Sequence, residues 1–145
     1  MTDTGQKCYY LEAAPEDIPP LQWALGQNAL DPVPGNATAT AIGAGRRNTA
    51  LIVKQHGHTA GFAAGDCTEY FVPGYEKYGD WFLPSKDELK LLFINRSYVD
   101  ISFGIDYWSS SEHSENYAWS QDFNTGYQNF SNKNGSYSIR PIRAF

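Results

Sequence analysis

Histidine and cysteine are the residue types best suited to metal or nucleophilic chemistry, and both are scarce in this chain. His56 and His58 could form a metal-ligand pair, but they lie where a helix is expected to end, which favours a solvated turn. Cys8 and Cys67 are too few for a four-cysteine zinc site and could form one disulfide or remain free thiols. Ser110 lacks convincing His and Asp partners for a catalytic triad. We therefore expect no catalytic residues, no metal and no cofactor.

The glycine-rich segment GAGRRN, residues 43–48, shares features with phosphate-binding loops. It lacks the third glycine of G-x-G-x-x-G and the Lys-Ser/Thr ending of a P-loop. The segment therefore favours a flexible connection that leads into a capped helix.

Tyrosine, asparagine and serine are concentrated in residues 107–145, which we interpret as a rigid surface that displays side chains to a ligand. Tyrosine offers a large contact area at low entropic cost, and asparagine and serine offer adaptable hydrogen bonds, as in antibody paratopes. The candidate ligand-binding residues are His113, Asn116, Tyr117, Ser120, Asp122, Thr125, Tyr127, Asn129, Phe130, Ser131, Asn132, Ser136 and Tyr137.

Alternation in YAWSQDF predicts that Trp119 and Phe123 point into the core and brace this surface, while Ser120 and Asp122 point outward. An NTG turn would fold the next strand back beside it. We therefore expect one contiguous patch, formed by Tyr117, Ser120, Asp122, Tyr127, Asn129, Phe130, Ser131 and Tyr137.

Two helices are expected before this region. NTALIVKQHG predicts a helix that is capped by Asn48 or Thr49 and ends at Gly57. SKDELKLLFINRS gives the clearer signal, because Ser85 and Glu88 fit a capping box.

The remaining pattern indicates strands and connections. CYYLE predicts a short strand, followed by a proline-rich turn and an irregular segment that extends to residue 47; residues 58–79 are expected to be loop-like. DWFLP predicts a strand that ends at Pro84. After residue 100 the period becomes two, and Pro141 indicates a sheet edge or a bulge in the last strand. The whole chain, 1–145, is expected to be a single α+β domain.

Composition limits the possible partners. The chain has 145 residues, a net charge of −5 and 15% aromatic residues, more than a core of this size needs. An acidic chain without a basic stripe argues against nucleic acid as a partner. No segment is long and apolar enough for membrane insertion, and no signal peptide is visible. The compartment stays open, with a virion or cell surface as one option.

The segments DWFLPSKDEL, YWSSSE, AWSQDF and IRPIRAF resemble the C-type-lectin-like domains at the ends of bacterial collagen-like adhesins. They are still more similar to the variable proteins of diversity-generating retroelements, the family that includes the phage major tropism determinant. The resemblance implies a C-type lectin fold in which two helices flank small antiparallel sheets and the two terminal strands pair. It also implies ligand binding on a face built by the C-terminal strands. The calcium motifs of sugar-binding C-type lectins are absent, as is the late cysteine pair of the formylglycine-generating enzymes.

The genetic code offers a second test of that resemblance. Mutating the adenines of an asparagine codon can yield Asn, Tyr, Ser, His, Asp, Thr, Phe or Gly, and every candidate ligand-binding residue belongs to this set. The unreachable types stand at positions expected to be scaffold, which are Trp119, Gln121, Gln128 and Lys133. Glu115 is also of an unreachable type, but no scaffold role is predicted for it. Enrichment of the reachable types in any loop is the alternative explanation.

The sequence thus favours a non-enzymatic receptor-recognition domain that displays a diversified surface to an unknown protein or glycan on a cell. Two alternatives stay open. One is an adhesin or structural cell-surface domain with a fixed surface, and the other is a lectin-fold enzyme. The oligomeric state is left open as well.

Overall fold

A computed structural model describes residues 10–74, 79–101 and 104–145. Within these ranges it contains three α-helices, one short 3-10 helix (Gly26–Ala29) and seven strands, which confirms the α+β class. The helices are α1 (Gly45–His56), α2 (Ala63–Glu69) and α3 (Lys86–Ile94). The strands are β1 (Leu11–Ala13), β2 (Ile18–Gln22), β3 (Asp106–Glu112), β4 (Tyr117–Asp122), β5 (Gln128–Asn132), β6 (Ser136–Ile139) and β7 (Ile142–Ala144). No helix in the described ranges is long and apolar enough to cross a membrane.

The strands form two sheets. Five of them lie in the order β2-β6-β3-β4-β5, with β3 and β6 parallel and the other neighbours antiparallel. The first and last strands, β1 and β7, form a separate antiparallel pair in which Leu11 lies opposite Ala144. The pairing of the two terminal strands, expected from the family resemblance, is therefore confirmed.

Both faces of the larger sheet are covered. Tyr107 and Trp108 are neighbours on β3, so their side chains point to opposite faces. Trp108 joins a core cluster with Ile52 of α1 and Phe62, whereas Tyr107 packs with Leu89 of α3 in a second cluster. The sheet is thus held between α1 and α2 on one side and α3 on the other.

Helix α3 begins as expected, and α1 does not. The Ser85 side chain accepts the amide of Glu88, and the Glu88 side chain accepts the amide of Ser85, which completes the capping box. Helix α1 begins at Gly45, so the predicted caps Asn48 and Thr49 are wrong. Both are buried inside the first turns, where Asn48 donates to the carbonyl of Ala39 and Thr49 exchanges hydrogen bonds with Leu83.

The glycine-rich segment at the start of α1 binds the carboxylate of Glu88, a side chain of the same protein. The amides of Gly43 and Gly45 donate to the Glu88 carboxylate at 3.2 and 3.0 Å. Burial raises the pKa of Glu88, against the effect of these amides. A Cβ at position 45 would collide with Glu88 and with the carbonyl of Leu83, so the close approach requires glycine. The segment is an internal anchor, which corrects the expected flexible connection.

Other segments differ from the expectation because tertiary contacts outweigh local composition. The region expected to be loop-like contains α2, and the proline-rich turn leads directly into β2. DWFLP forms only an isolated bridge between Phe82 and Ile142, and the last predicted strand is divided into β6 and β7 at Arg140 and Pro141.

His56 is packed, not solvated. Its ring stacks on Phe62 with centroids 3.7 Å apart, and its Nε2 accepts the amide of Leu25 at 3.1 Å. Burial lowers its pKa. Cys67 is a free, buried thiol, whereas Cys8 lies outside the described residues.

Candidate functional site

Four aromatic side chains meet on one face of the β4–β5 pair, and we call them the aromatic patch: His113, Tyr117, Trp119 and Phe130. Cross-strand register explains the meeting, because Trp119 lies opposite Phe130, and Tyr117 is two residues away on the same face. His113 joins them from the end of β3. Three of the four are predicted ligand-binding residues; Trp119 is not.

The rings of the aromatic patch contact one another at the surface. His113 stacks on Phe130 with centroids 4.1 Å apart and planes within 11°. Trp119 meets both rings edge-on, at 5.1 Å from His113 and 5.9 Å from Phe130, and Tyr117 meets Phe130 at 5.6 Å. Phe130 is 44% exposed and His113 is exposed, while Tyr117 and Trp119 are half-buried. Such a cluster combines a large apolar contact area with polar ring atoms.

Lys86, the first residue of α3, adds a positive charge to the aromatic patch. Its ammonium group lies 3.8 Å from the centroid of Trp119. The carbonyl of Lys86 accepts the Gln128 side chain at 2.8 Å, which ties α3 to β5. Among the described residues, no carboxylate forms an ion pair with Lys86. Lys86 is not among the predicted residues, because nothing in its local sequence pattern indicates that α3 begins beside the aromatic patch.

Phe123 points into the core as predicted, whereas the same prediction for Trp119 is wrong. Phe123 is fully buried against Tyr107, at 4.5 Å between centroids, and Gln121 on the same face is 1% exposed. Trp119 shares that face but lies beyond the edge of the core, under Lys86. The alternation of residues therefore predicted the correct face of the sheet for Trp119 but overestimated its burial.

The single contiguous patch is also wrong, because its members lie on both faces of the β4–β5 pair. Ser120, Asn129 and Ser131 share the face opposite to the aromatic patch. Ser120 is only 5% exposed, and its hydroxyl lies 3.1 Å from that of Ser131. This face continues to Ala118 in the core, so the hydroxyl of Ser120 stabilises the strand pair instead of being displayed.

The predicted residues of the turn after β4 are held locally. The Asp122 carboxylate accepts the amide of Asn124 at 2.7 Å and the hydroxyl of Thr125 at 3.1 Å. This arrangement fixes the turn and leaves Tyr127 at its end 68% exposed.

A separate groove of about 360 Å³ contains three of the predicted residues. Asp122, Ser136 and Tyr137 line it together with Asp106. Burial and the nearby Asp122 raise the pKa of Asp106. Tyr137 is half-buried, with its ring edge-on to Trp108 at 4.7 Å. The groove opens away from the aromatic patch, so the predicted residues form at least two separate surfaces.

The predicted scaffold residues Gln121, Gln128 and Lys133 have structural roles. Lys133 is fully buried, and its ammonium group donates to the Glu112 carboxylate at 2.6 Å and to the carbonyl of Asp31 at 2.9 Å. The carbonyl of Asn116 accepts the Lys133 amide at 3.0 Å, which fixes the segment that carries Tyr117. Asn132 and Ser136, by contrast, are exposed.

The aromatic patch and the groove both offer side chains for non-covalent contact with a ligand. In the part of the chain that the structure describes, His, Cys, Asp and Glu form no group of three or more that could hold a metal ion. The Ser110 hydroxyl is buried, and no residue in the described ranges forms a hydrogen bond with it, so none of them acts on it as a general base. The aromatic patch offers stacking, burial of apolar area and one cation.

Comparison with known families gives one match that spans most of the chain. The model of a family described as the Lcl C-terminal domain matches residues 20–143. No curated protein matches the sequence. The matched range includes α1, α2 and α3, the strands β3 to β6, parts of β2 and β7, and every residue of the aromatic patch.

Proposed function

Because the chain belongs to the Lcl C-terminal domain family, whose lectin-like fold indicates an adhesin or receptor-binding domain, we propose that it is a non-enzymatic recognition domain. We propose further that the aromatic patch contacts its ligand, a protein or glycan on a cell surface. The observation that carries the proposal is the ring cluster of His113, Tyr117, Trp119 and Phe130 at the surface, beside the ammonium group of Lys86.

The physical argument rests on rigidity and on apolar area. Aromatic side chains at a binding surface supply most of its energy when a partner excludes water from them. The strands that carry them are braced by the buried Phe123 and Lys133, which lowers the entropy lost on binding. A surface of this kind suits recognition better than catalysis.

A diversified surface is the finer part of the proposal. The adenine-unreachable residues Gln121 and Lys133 are buried, whereas the reachable residues Asn129, Asn132 and Ser136 are exposed. This division supports a retroelement variable protein, although the buried Ser120 does not follow it. A fixed-surface adhesin is the alternative. A reverse transcriptase gene and a near-identical template repeat beside this gene would support diversification, and a locus without them would contradict it.

The binding proposal is tested by screening the domain against a glycan array and a cell-surface protein library. Phe130→Ala and Trp119→Ala should each weaken binding to any hit by roughly thirtyfold, the cost of a central contact residue. Tyr98→Ala is the matched control, since Tyr98 is 87% exposed outside the aromatic patch and should bind normally when changed.

Two results would contradict the aromatic patch as the contact surface. One is a hit that both patch variants bind with the parent affinity. The other is loss of binding in Tyr127→Ala alone, which would place the contact at the turn after β4.

A further inference from the structure

The two outer strands of the five-stranded sheet differ in how they are protected. One edge is β2, where Pro19 and Pro20 remove amide donors and Gln22 bridges to Phe62. The other edge is β5, with the sequence QNFSN, which contains no proline and no charged residue. Natural proteins protect exposed edges with proline, charge or a covering element, because an open edge can pair with another strand. The β5 edge has none of these features within its five residues.

The hydrogen bonds to β4 show which groups of β5 face outward. The carbonyl of Tyr127 accepts the amide of Asp122 at 2.9 Å, and the amide of Lys133 donates to the carbonyl of Asn116 at 3.0 Å. Inward hydrogen bonding alternates along an antiparallel strand. The amides of Gln128, Phe130 and Asn132 and the carbonyls of the first two therefore point away from β4, toward the open edge. The carbonyl of Asn132 is not free for a partner, because it accepts the amide of Gly135 at 2.9 Å in the turn after β5.

One outward amide is occupied by a side chain from its own strand. The amide of Phe130 donates to Oδ1 of Asn129 at 2.9 Å. A buried or paired strand would not need this bond, so Asn129 occupies the place that a partner's carbonyl would take. The edge is thus closed at its middle by a side chain that can rotate away.

We propose that the β5 edge binds an extended peptide segment of a protein partner, which adds to the sheet as a sixth strand. Side chains alternate along such a segment. The peptide residue opposite Phe130 would place its side chain beside the aromatic patch, and an apolar residue is expected there. The inference rests on the proposed function in this respect alone: the backbone pairing itself does not depend on the aromatic patch.

The test uses a displayed library of random linear peptides of about ten residues, the length of a long strand. Selected peptides should lose binding when alternate amides, those facing β5, are N-methylated. Methylation of the other alternate set should have little effect. No enriched peptide, or peptides insensitive to both sets, would overturn the proposal.

Variants of β5 distinguish the contribution of its backbone to peptide binding from that of its side chains. Asn132→Pro removes an outward amide and should weaken binding of the selected peptides by roughly tenfold, whereas Asn132→Ala keeps the amide and should weaken it clearly less. Asn129→Ala frees the Phe130 amide and should bind more tightly, by up to roughly tenfold. Equal affinities of the two Asn132 variants would refute strand pairing.

The same variants can refute the aromatic patch as the contact surface without refuting the edge proposal. If Trp119→Ala binds the peptides normally while Asn132→Pro does not, the aromatic patch is not the contact surface and the edge proposal stands. A dimer of the free protein that Asn132→Pro dissociates would show that the edge pairs with a second copy of this chain, and would overturn the peptide as its occupant.

Discussion

Breaking the ion pair between Lys133 and Glu112 should lower the free energy of unfolding more than changing any single surface residue of the C-terminal region. Its two side chains are 0% and 4% exposed, and the ammonium group also donates to the carbonyl of Asp31. Lys133→Met keeps an unbranched apolar stem in the same space and removes the charge. The Glu112 carboxylate then stays buried, with the amide of Val33 as its remaining hydrogen-bond partner.

The magnitude follows from that uncompensated charge. Removing one partner of a buried ion pair costs about 3–5 kcal/mol, because the other charge loses its partner and cannot reach water. A domain of ordinary stability has about 5–15 kcal/mol in total. Lys133→Met should therefore remove a large fraction of the free energy of unfolding.

Urea denaturation of three variants measures the effect. Lys90→Met is the matched control, since Lys90 is exposed on α3 and its loss should stay within about 0.5 kcal/mol. Adding Glu112→Gln to Lys133→Met should restore part of the stability by removing the buried charge. The reasoning is refuted if Lys133→Met unfolds within about 1 kcal/mol of the parent, or if the double variant is as unstable as the sum of the two single variants.

Three further predictions concern pH, packing and metal. Burial lowers the pKa of His56 from 6.5, so the unfolded chain binds the extra proton more readily and the free energy of unfolding should fall as the pH drops below about 6.5. His56→Gln should reduce this slope and the exposed His58→Gln should not; identical slopes in all three proteins would contradict the assignment. Trp108→Ala should cost about 3–5 kcal/mol and the half-buried Trp119→Ala clearly less, measured in urea, so equal losses would show that Trp119 belongs to the core after all. Chelator should leave the melting temperature unchanged, and a decrease that calcium reverses would reveal a bound metal.

Short-range signals in the sequence were sufficient for some elements. The capping box of Ser85 and Glu88 fixed the start of α3, and the period of two identified β3, β4 and β5. The family resemblance supplied the pairing of β1 with β7, which no local pattern contains. These features depend on neighbours in sequence or on the known architecture of a family.

The missed features depend on contacts between distant segments. Trp119 has the alternation of a core residue, yet whether the core extends to it depends on where α3 begins relative to β4, and that is a long-range property. Lys133 lies in a polar turn and is buried only because Glu112 and Asp31 are brought to it. The Glu88 carboxylate accepts an amide at the start of α1, so the helix does not need Asn48 or Thr49 as a side-chain cap.

The Glu88 carboxylate also links the dynamics of two helices. It accepts amides from Gly43, Gly45 and Ser85, which belong to the entries of α1 and α3, about forty residues apart in the chain. None of these amides can open to solvent without disturbing the acceptor of the others. In amide hydrogen exchange the three should therefore report a shared opening free energy, so that the starts of α1 and α3 behave as one cooperative unit.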